Sequence, residues 1–215
     1  MTIAVISDIV GSRRLRDRAD AQRMLDDAIR RVEQDLPLAT RPLRITVGDE
    51  EQGTYATLPD ALASLLLLQL ALPDDIQCRF GLGVGPVRTI EVSGGAIDDG
   101  PGWWAAREAI DTVHRKQQRA APRARTWVVA APGEDALMQS AVSLANAYLL
   151  VRDGVVGGMS ERTRRLAYGR CLRVTQRELA GAEGITQPAV SQALSSAGAS
   201  AVIEGFFALR PGSRS

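Results

Sequence analysis

Cysteine, histidine and long apolar runs are all scarce in this chain. Two cysteines, Cys78 and Cys171, stand far apart. A disulfide framework and a cysteine metal cluster are therefore excluded as organising features. A single histidine, His114, excludes a histidine-rich metal site; between Ala-rich helix and Arg115-Lys116 it reads as a surface residue. The most apolar stretch, Leu62 to Leu72, is interrupted by Ser64 and Gln69 and falls short of the roughly 20 residues a membrane span needs. No basic-then-apolar leader opens the chain, because Met1 runs straight into a short strand-like segment broken by Asp8. A cytoplasmic protein without a membrane span is expected. Nor does one sign of charge dominate: the net charge is +1, so no global field points to nucleic acid or membrane.

What is present is ordinary globular material. The chain has 215 residues, 45% hydrophobic and 24% charged, enough for one large domain or a medium and a small one. The charge is unevenly placed. Residues 1–159 carry 18 Lys+Arg and 21 Asp+Glu, whereas residues 160–215 carry 8 and 4. The tail is the candidate for a polyanion partner.

Thr2 to Ile9 reads as a strand buried on both faces. Gly11-Ser12 breaks it, Arg13, Arg14, Arg16 and Arg18 follow, and of these Arg13 is the candidate phosphate clamp. A helix is predicted over 19–35, with Met24, Leu25, Ala28, Ile29 and Val32 on one face. Leu43 to Val47 and Gln52 to Ala56 form a hairpin with Gly48-Asp49 at its tip. Pro59-Asp60 starts a buried helix over Ala61 to Leu72. Residues 77–87 form a strand in which Gly81, Gly83 and Gly85 imply close backbone contact. Residues 87–92 extend or pair with it, residues 93–102 are a loop, and a helix runs from Trp104 to about Ala120. A short strand at 126–130 and a helix over 134–151 complete an α/β or α+β layer structure. The boundaries expected are a first domain over 1–153, a glycine-rich linker at 154–159 and a small all-α domain over 160–215.

Two constellations bear chemistry. Asp8 at a strand end and Asp49 at a hairpin tip, with Glu50 and Glu51 beside it, can hold Mg²⁺, which takes a few carboxylate oxygens together with waters and substrate phosphates. An aspartate also suits a turn without any ligand. The second constellation lies in the tail. Thr175-Gln176-Arg177-Glu178-Leu179-Ala180, a turn through Gly184, and Thr186-Gln187-Pro188-Ala189-Val190-Ser191-Gln192 form a helix-turn-helix pattern. Gln187, Ser191 and Gln192 would point outward from the recognition helix, and Gln can pair bidentately with adenine. That helix has no Lys or Arg, so phosphate contacts fall to Arg177 and to Arg162, Arg164, Arg165, Arg170 and Arg173. A helix-turn-helix used only for packing is the plain alternative.

The order Asp8-Ile9-Val10-Gly11-Ser12, Thr46-Val47-Gly48-Asp49, Arg79-Phe80-Gly81-Leu82-Gly83-Val84-Gly85-Pro86-Val87 and Gly102-Trp103-Trp104-Ala105-Ala106-Arg107 resembles the class III nucleotidyl cyclase domain over about residues 1–130. With the C-terminal Ile185-Thr186-Gln187-Pro188-Ala189-Val190-Ser191-Gln192, nearly the whole chain is similar to the SatD family. The cyclase resemblance implies a ferredoxin-like core, with Asp8 and Asp49 as the metal-binding acids and Arg107 stabilising the transferred phosphate. It also implies that Ile9, Val10 and Gly11 face a triphosphate. Trp103 stands where cyclases have a ligand-facing asparagine, Ile45 where they have a purine-reading lysine, and the histidine expected after Gly83-Val84 is missing. Those groups orient base and ribose, so metal–phosphate binding is implied more strongly than cyclisation.

The reading is a regulatory protein: a Mg²⁺- and nucleotide-binding cyclase-like α/β domain, taking a nucleotide or phosphorylated small molecule, joined to a duplex-DNA-reading helix-turn-helix. A homodimer is expected, since cyclase-type sites are shared between chains and helix-turn-helix proteins use paired half-sites. A Mg²⁺-dependent nucleotidyl-transfer or cyclase-type enzyme using Asp8 and Asp49, and a catalytically inactive structural adaptor, are the alternatives.

Overall fold

A computed structural model describes residues 2–12, 17–47, 50–92 and 95–210. The expectations placed on Arg13 and on the Gly48-Asp49 tip therefore lie outside the described residues.

The chain runs β1 (Thr2–Ile9), α1 (Arg18–Asp35), β2 (Ala39–Val47), β3 (Glu50–Tyr55), α2 (Leu58–Ala71), β4 (Cys78–Gly85), β5 (Arg88–Val92), β6 (Gly95–Asp99), α3 (Pro101–Gln117) and β7 (Thr126–Ala130). Five helices follow: α4 (Ala136–Val156), α5 (Glu161–Cys171), α6 (Gln176–Glu183), α7 (Gln187–Ser196) and α8 (Ala199–Leu209). Five strands form one sheet in the order β2-β3-β1-β4-β7, antiparallel except for the β4–β7 pair. The α/β layer structure expected from the sequence is what the chain adopts. Residues 88–92 do not extend β4; they pair with β6 in a separate two-stranded ribbon. Residues 95–99 therefore form a strand where a loop was expected. The α3 helix starts at Pro101, three residues before the expected start. Proline supplies a helical φ at the first turn, where its missing N–H costs nothing.

Strand alternation sends β1 to two different cores. Ile3, Val5 and Ile9 face a large cluster with α1 and α2, while Ala4 and Ile6 face a small one with Trp103, Ala106 and Ile110 of α3. The α3 helix lies directly on the β4 backbone. A Cβ at Gly83 would stand 1.9 Å from the Gly102 carbonyl oxygen, and one at Gly81 would stand 2.4 Å from that of Ala106. The close contact read from those glycines is thus with helix α3.

The α2 helix buries Leu58 and every residue from Ala61 to Leu70. One side meets α1 and the sheet; the other meets α5 and α8. This is why it is apolar nearly all round: the C-terminal helices cover the face that would otherwise meet solvent. The large cluster runs without a break from Ile3 to Phe206. Residues 154–156, the start of the expected linker, form the last turn of α4. Just before them, Arg152 and Asp153 are wholly buried as an ion pair at 2.8 Å. The Asp153 carboxylate also accepts the backbone N–H groups of Arg125 and Thr126, each at 2.7 Å, and Gln69 of α2 donates to it at 3.3 Å. One buried carboxylate thereby joins α4, β7 and α2. Such a pair is tolerated because its hydrogen-bonding groups are satisfied.

Candidate functional site

Asp8 is two residues beyond Ile6 on β1, so it lies on the α3 face of the sheet. Arg79 stands directly opposite on β4. Its guanidinium donates to both carboxylate oxygens, Nε to Oδ1 at 2.7 Å and one Nη to Oδ2 at 2.8 Å. This is the fork geometry that makes arginine–carboxylate pairs directional. Gln117, the last residue of α3, accepts from Arg79 at 3.4 Å and donates to the Ala124 carbonyl at 2.6 Å. The pair is thus tied to the end of α3.

Glu50 opens β3 beside this pair, one step past the Ser7–Glu51 register partners. Arg107 of α3 donates to Glu50 at 2.6 Å, and Gln52 donates to the same carboxylate at 3.0 Å. The hydrogen bond to Glu50 raises the Arg107 pKa above its ordinary value, with the Asp111 and Asp8 charges adding to it and burial opposing it. On the opposite face Glu51 is wholly buried. It accepts from the Ser7 hydroxyl at 2.8 Å and from the Gln22 amide of α1 at 2.6 Å. Cys78, at the start of β4, sits close enough to be affected by these charges. Burial first, then the negative charges of Glu51 and Asp8, push its thiol well above the usual range.

The strand ends at this side of the sheet therefore carry paired charges: Asp8 with Arg79, and Glu50 with Arg107. Among the described residues no group of three or more acidic, cysteine or histidine side chains could hold a metal ion. Each described carboxylate on the α3 face already has an arginine partner, and Glu51 is sealed behind the sheet. Asp8 is the one expected magnesium ligand among the described residues, and its two oxygens are held by Arg79; Asp49, the other expected ligand, lies outside the described residues.

The other expected ligand-facing residues separate. Ile9 is 3% exposed and faces the large cluster. Val10 donates its N–H to the Gln77 carbonyl at 2.7 Å, and Gly11 takes a left-handed φ of 72° in the turn that follows. Trp103, expected to face a ligand, is 6% exposed instead. Its ring packs in the small cluster with the Arg41 guanidinium 5.5 Å from its centroid. Trp104 is 59% exposed and donates to Asp99 at 3.0 Å. A helix that lies flat on glycine strands turns every third or fourth residue inward, and the register selects Trp103. Arg79 and Gln117 were not singled out by sequence reasoning. Arg79 stood in view as a strand residue, and only the antiparallel register puts it opposite Asp8.

In the C-terminal part, α6 opens with a capping box. The Thr175 hydroxyl accepts from the Glu178 N–H and the Glu178 carboxylate accepts from the Thr175 N–H at 2.8 Å. Burial of the Glu178 side chain plays little part; the two bonds from Thr175 lower its pKa. Gly184 closes α6 in the left-handed conformation, φ 64°, and Thr186 caps α7. Leu179 and Ala180 of α6 and Val190 and Leu194 of α7 are buried. Arg177, Gln187, Ser191 and Gln192 are all exposed. The other tail arginines are largely engaged within the fold. Arg165 grips Glu183 through two bonds of 2.7 and 2.9 Å, with Arg162 at 3.5 Å. Arg164 binds Asp74 at 2.7 Å, and Arg170 donates to the Val174 carbonyl at 2.7 Å.

An antiparallel-dominated sheet backed by helices, with charged pairs at the ends of β1 and β3, defines a mixed α/β protein with a helical C-terminal part. The chain belongs to the SatD family, whose sequence model matches residues 2–137. Among solved structures it is similar to adenylate cyclases from Trypanosoma brucei, at 16% identity over 52% of this chain and 68% of that one, with a TM-score of 0.41. It is also similar to the guanylyl cyclase domain of a fusion protein from the fungus Blastocladiella emersonii, at 16% identity, 52% and 73% coverage and a TM-score of 0.39. An adenylyl cyclase from P. aeruginosa matches at 12% identity, 55% and 81% coverage and a TM-score of 0.37. Likeness at this level says nothing of activity. A search of curated proteins gives no match. Among the described residues no helix is long and apolar enough to cross a membrane.

Proposed function

We propose that the chain is a DNA-binding regulator in which a cyclase-like body, responsive to a nucleotide or another phosphorylated small molecule, carries a helix-turn-helix in a fixed orientation. The observation that carries this reading is the second helix of the motif. Thr186 caps it, Val190 and Leu194 anchor it, and Gln187, Ser191 and Gln192 stand on its exposed side. Amide and hydroxyl groups in that position suit base edges in a major groove. In the body, an anionic ligand would compete with Glu50 for Arg107, which is half exposed, leaving Asp8 and Arg79 as the fixed pair behind it. The shared core of α2, α5 and α8 supports coupling between ligand and tail.

A homodimer is part of this reading. The exposed side of α4 presents Leu137, Leu144 and Val151 at 79%, 74% and 69% exposure, seven residues apart in sequence. No charged residue occurs from Ala136 to Val151, so two copies of this face could pack without opposing like charges. Leu144→Glu should lower the mass seen in sedimentation to that of one chain.

The test of the function is duplex selection. The full chain, presented with a random-sequence duplex pool, should enrich a two-fold-related site, and Gln187→Ala/Gln192→Ala should abolish the enrichment. Calorimetry with ATP and GTP, with and without Mg²⁺, should show binding that Arg107→Ala removes. Release of pyrophosphate from either nucleotide would replace this reading with the enzymatic one; no enrichment of any duplex would replace it with the adaptor.

A further inference from the structure

Among the described residues, a cluster of cations without carboxylate partners lies outside the helix-turn-helix. From Thr112 to Gly133 the sequence holds Arg115, Lys116, Arg119, Arg123 and Arg125 and not one acid. The segment ends α3 and leads into β7. Arg115, Lys116, Arg119 and Arg123, with Thr112, Leu150 and Gly154, line an open concavity of about 820 Å³ between the end of α3, the following loop and the end of α4. Among the described residues none of these four cations has a carboxylate within ion-pair distance. Arg115 donates to the Thr112 hydroxyl at 2.7 Å, Lys116 lies 4.1 Å from the Trp127 ring centroid, and Arg123 reaches the Gly154 carbonyl at 3.5 Å. Arg119 and Arg123 are exposed.

Basic residues in the last turn of a helix complement its dipole, which accounts for Arg115 and Lys116. It does not account for Arg119 and Arg123, which follow the helix. Four cations around one concavity repel one another, and an anion is what offsets that repulsion. The chain route from this concavity to the DNA-reading motif is short. The Arg123 side chain lies against Gly157 and Gly158. Two residues later Ser160 caps α5, and the first turns of α5 hold Glu183 at the end of α6 through Arg165 and Arg162. The turn leading to the second helix starts there.

We propose that this concavity is a phosphate-backbone site for nucleic acid, supplying the contacts that the neutral outer face of α7 lacks. The proposal rests on the DNA-binding reading. Each phosphate neutralised releases counterions, so the dependence of log K on log salt steepens by about 0.9 per contact. The test is fluorescence anisotropy of the full chain on a 30-base-pair duplex of random sequence between 50 and 300 mM salt. The expected result is that Arg119→Gln/Arg123→Gln flattens the slope by about 2 and weakens binding at 0.1 M salt on the order of tenfold per lost contact. Arg119→Lys/Arg123→Lys should retain the slope, because a phosphate needs charge there and not a fork. An unchanged slope in the glutamine variant, with binding still sensitive to Gln187→Ala/Gln192→Ala, overturns the site and leaves the DNA reading standing. Absence of duplex binding by the wild-type chain at 50 mM salt overturns the DNA reading, and this site with it.

Discussion

Where α3 crosses the sheet it meets the glycines of β4; the other face of the sheet is packed against the leucines of α2. The first is a thin contact in which helix and strand backbones nearly touch. Gly81 and Gly83 leave no room for even a methyl group beneath Gly102, Ala106 and Ile110. The second is thick, and it extends through α2 to α5 and α8 in one continuous cluster. The difference sets what each face can do. A close-packed plate resists displacement, so the Asp8–Arg79 pair between its central strands keeps its spacing. A leucine core can trade packing among neighbours, so motion passing between body and tail is more easily accommodated there.

The largest expected effect tests whether the thick face really unites body and tail. Asp153→Ala removes the partner of a fully buried arginine and should cost about 3–5 kcal/mol. All three tryptophans, Trp103, Trp104 and Trp127, are on or beside α3. Urea unfolding followed by tryptophan fluorescence should coincide with unfolding followed by far-ultraviolet circular dichroism, in wild type and variant alike. Two separated transitions would break the comparison, since the tail would then melt on its own core. Next comes the contrast between faces. Gly83→Ala pushes a methyl against backbone and should cost about 3 kcal/mol, the upper end of overpacking, whereas Leu67→Met should cost less than about 1.5 kcal/mol. Equal losses would mean that the two faces do not differ in tolerance. The third test concerns closure. Cys78 and Cys171 are both buried, and burial pushes the Cys171 thiol up to about 12. Neither thiol should react measurably with a thiol reagent at pH 8 until urea unfolds the chain. Prompt modification of Cys78 in the folded state would show that the thick face opens near Glu51.

Much of the fold was legible because its signals are local. The continuous apolar run of β1, the three- and four-residue steps in α1, and the helix–Gly184 turn–helix pattern each act within a short stretch of chain. What was hidden depends on partners remote in sequence. Arg152-Asp153 followed by glycines has the composition of a boundary, yet a carboxylate that receives two backbone N–H groups from the start of β7 belongs in a core. The glycines of β4 announced a close neighbour without naming it. Asp8 stands out in the sequence as a candidate through its strand-end position and a resemblance, but its partner Arg79 follows only from strand register. The cations Arg115, Lys116, Arg119 and Arg123, without carboxylate partners among the described residues, were hidden in a different way. Summed over residues 1–159, they are cancelled by acids that sit elsewhere, whereas the tail's surplus of arginine is largely absorbed by Glu183, Asp74 and Glu161.

The smallest expected effect lies in that absorbed charge. Glu183 is the last residue of α6, where the helix dipole disfavours an anion. Its pKa is nevertheless lowered, first by the hydrogen bonds from Arg165 and then by the charges of Arg165 and Arg162. A carboxylate held below its unfolded value of about 4.3 stabilises the fold at higher pH, and that contribution is lost as pH falls through the folded pKa. Because the arginines are largely exposed, the pairing should amount to no more than about 1 kcal/mol. The measurement is the difference in Tm between wild type and Glu183→Gln from pH 7 down to pH 3. Above the ordinary glutamate range the wild type should melt later by a small constant margin, and the two curves should meet as the carboxylate protonates. A margin that persists at pH 3 would mean that Glu183 acts through shape at the turn before α7, and the arginines of α5 would then be free to serve a partner instead.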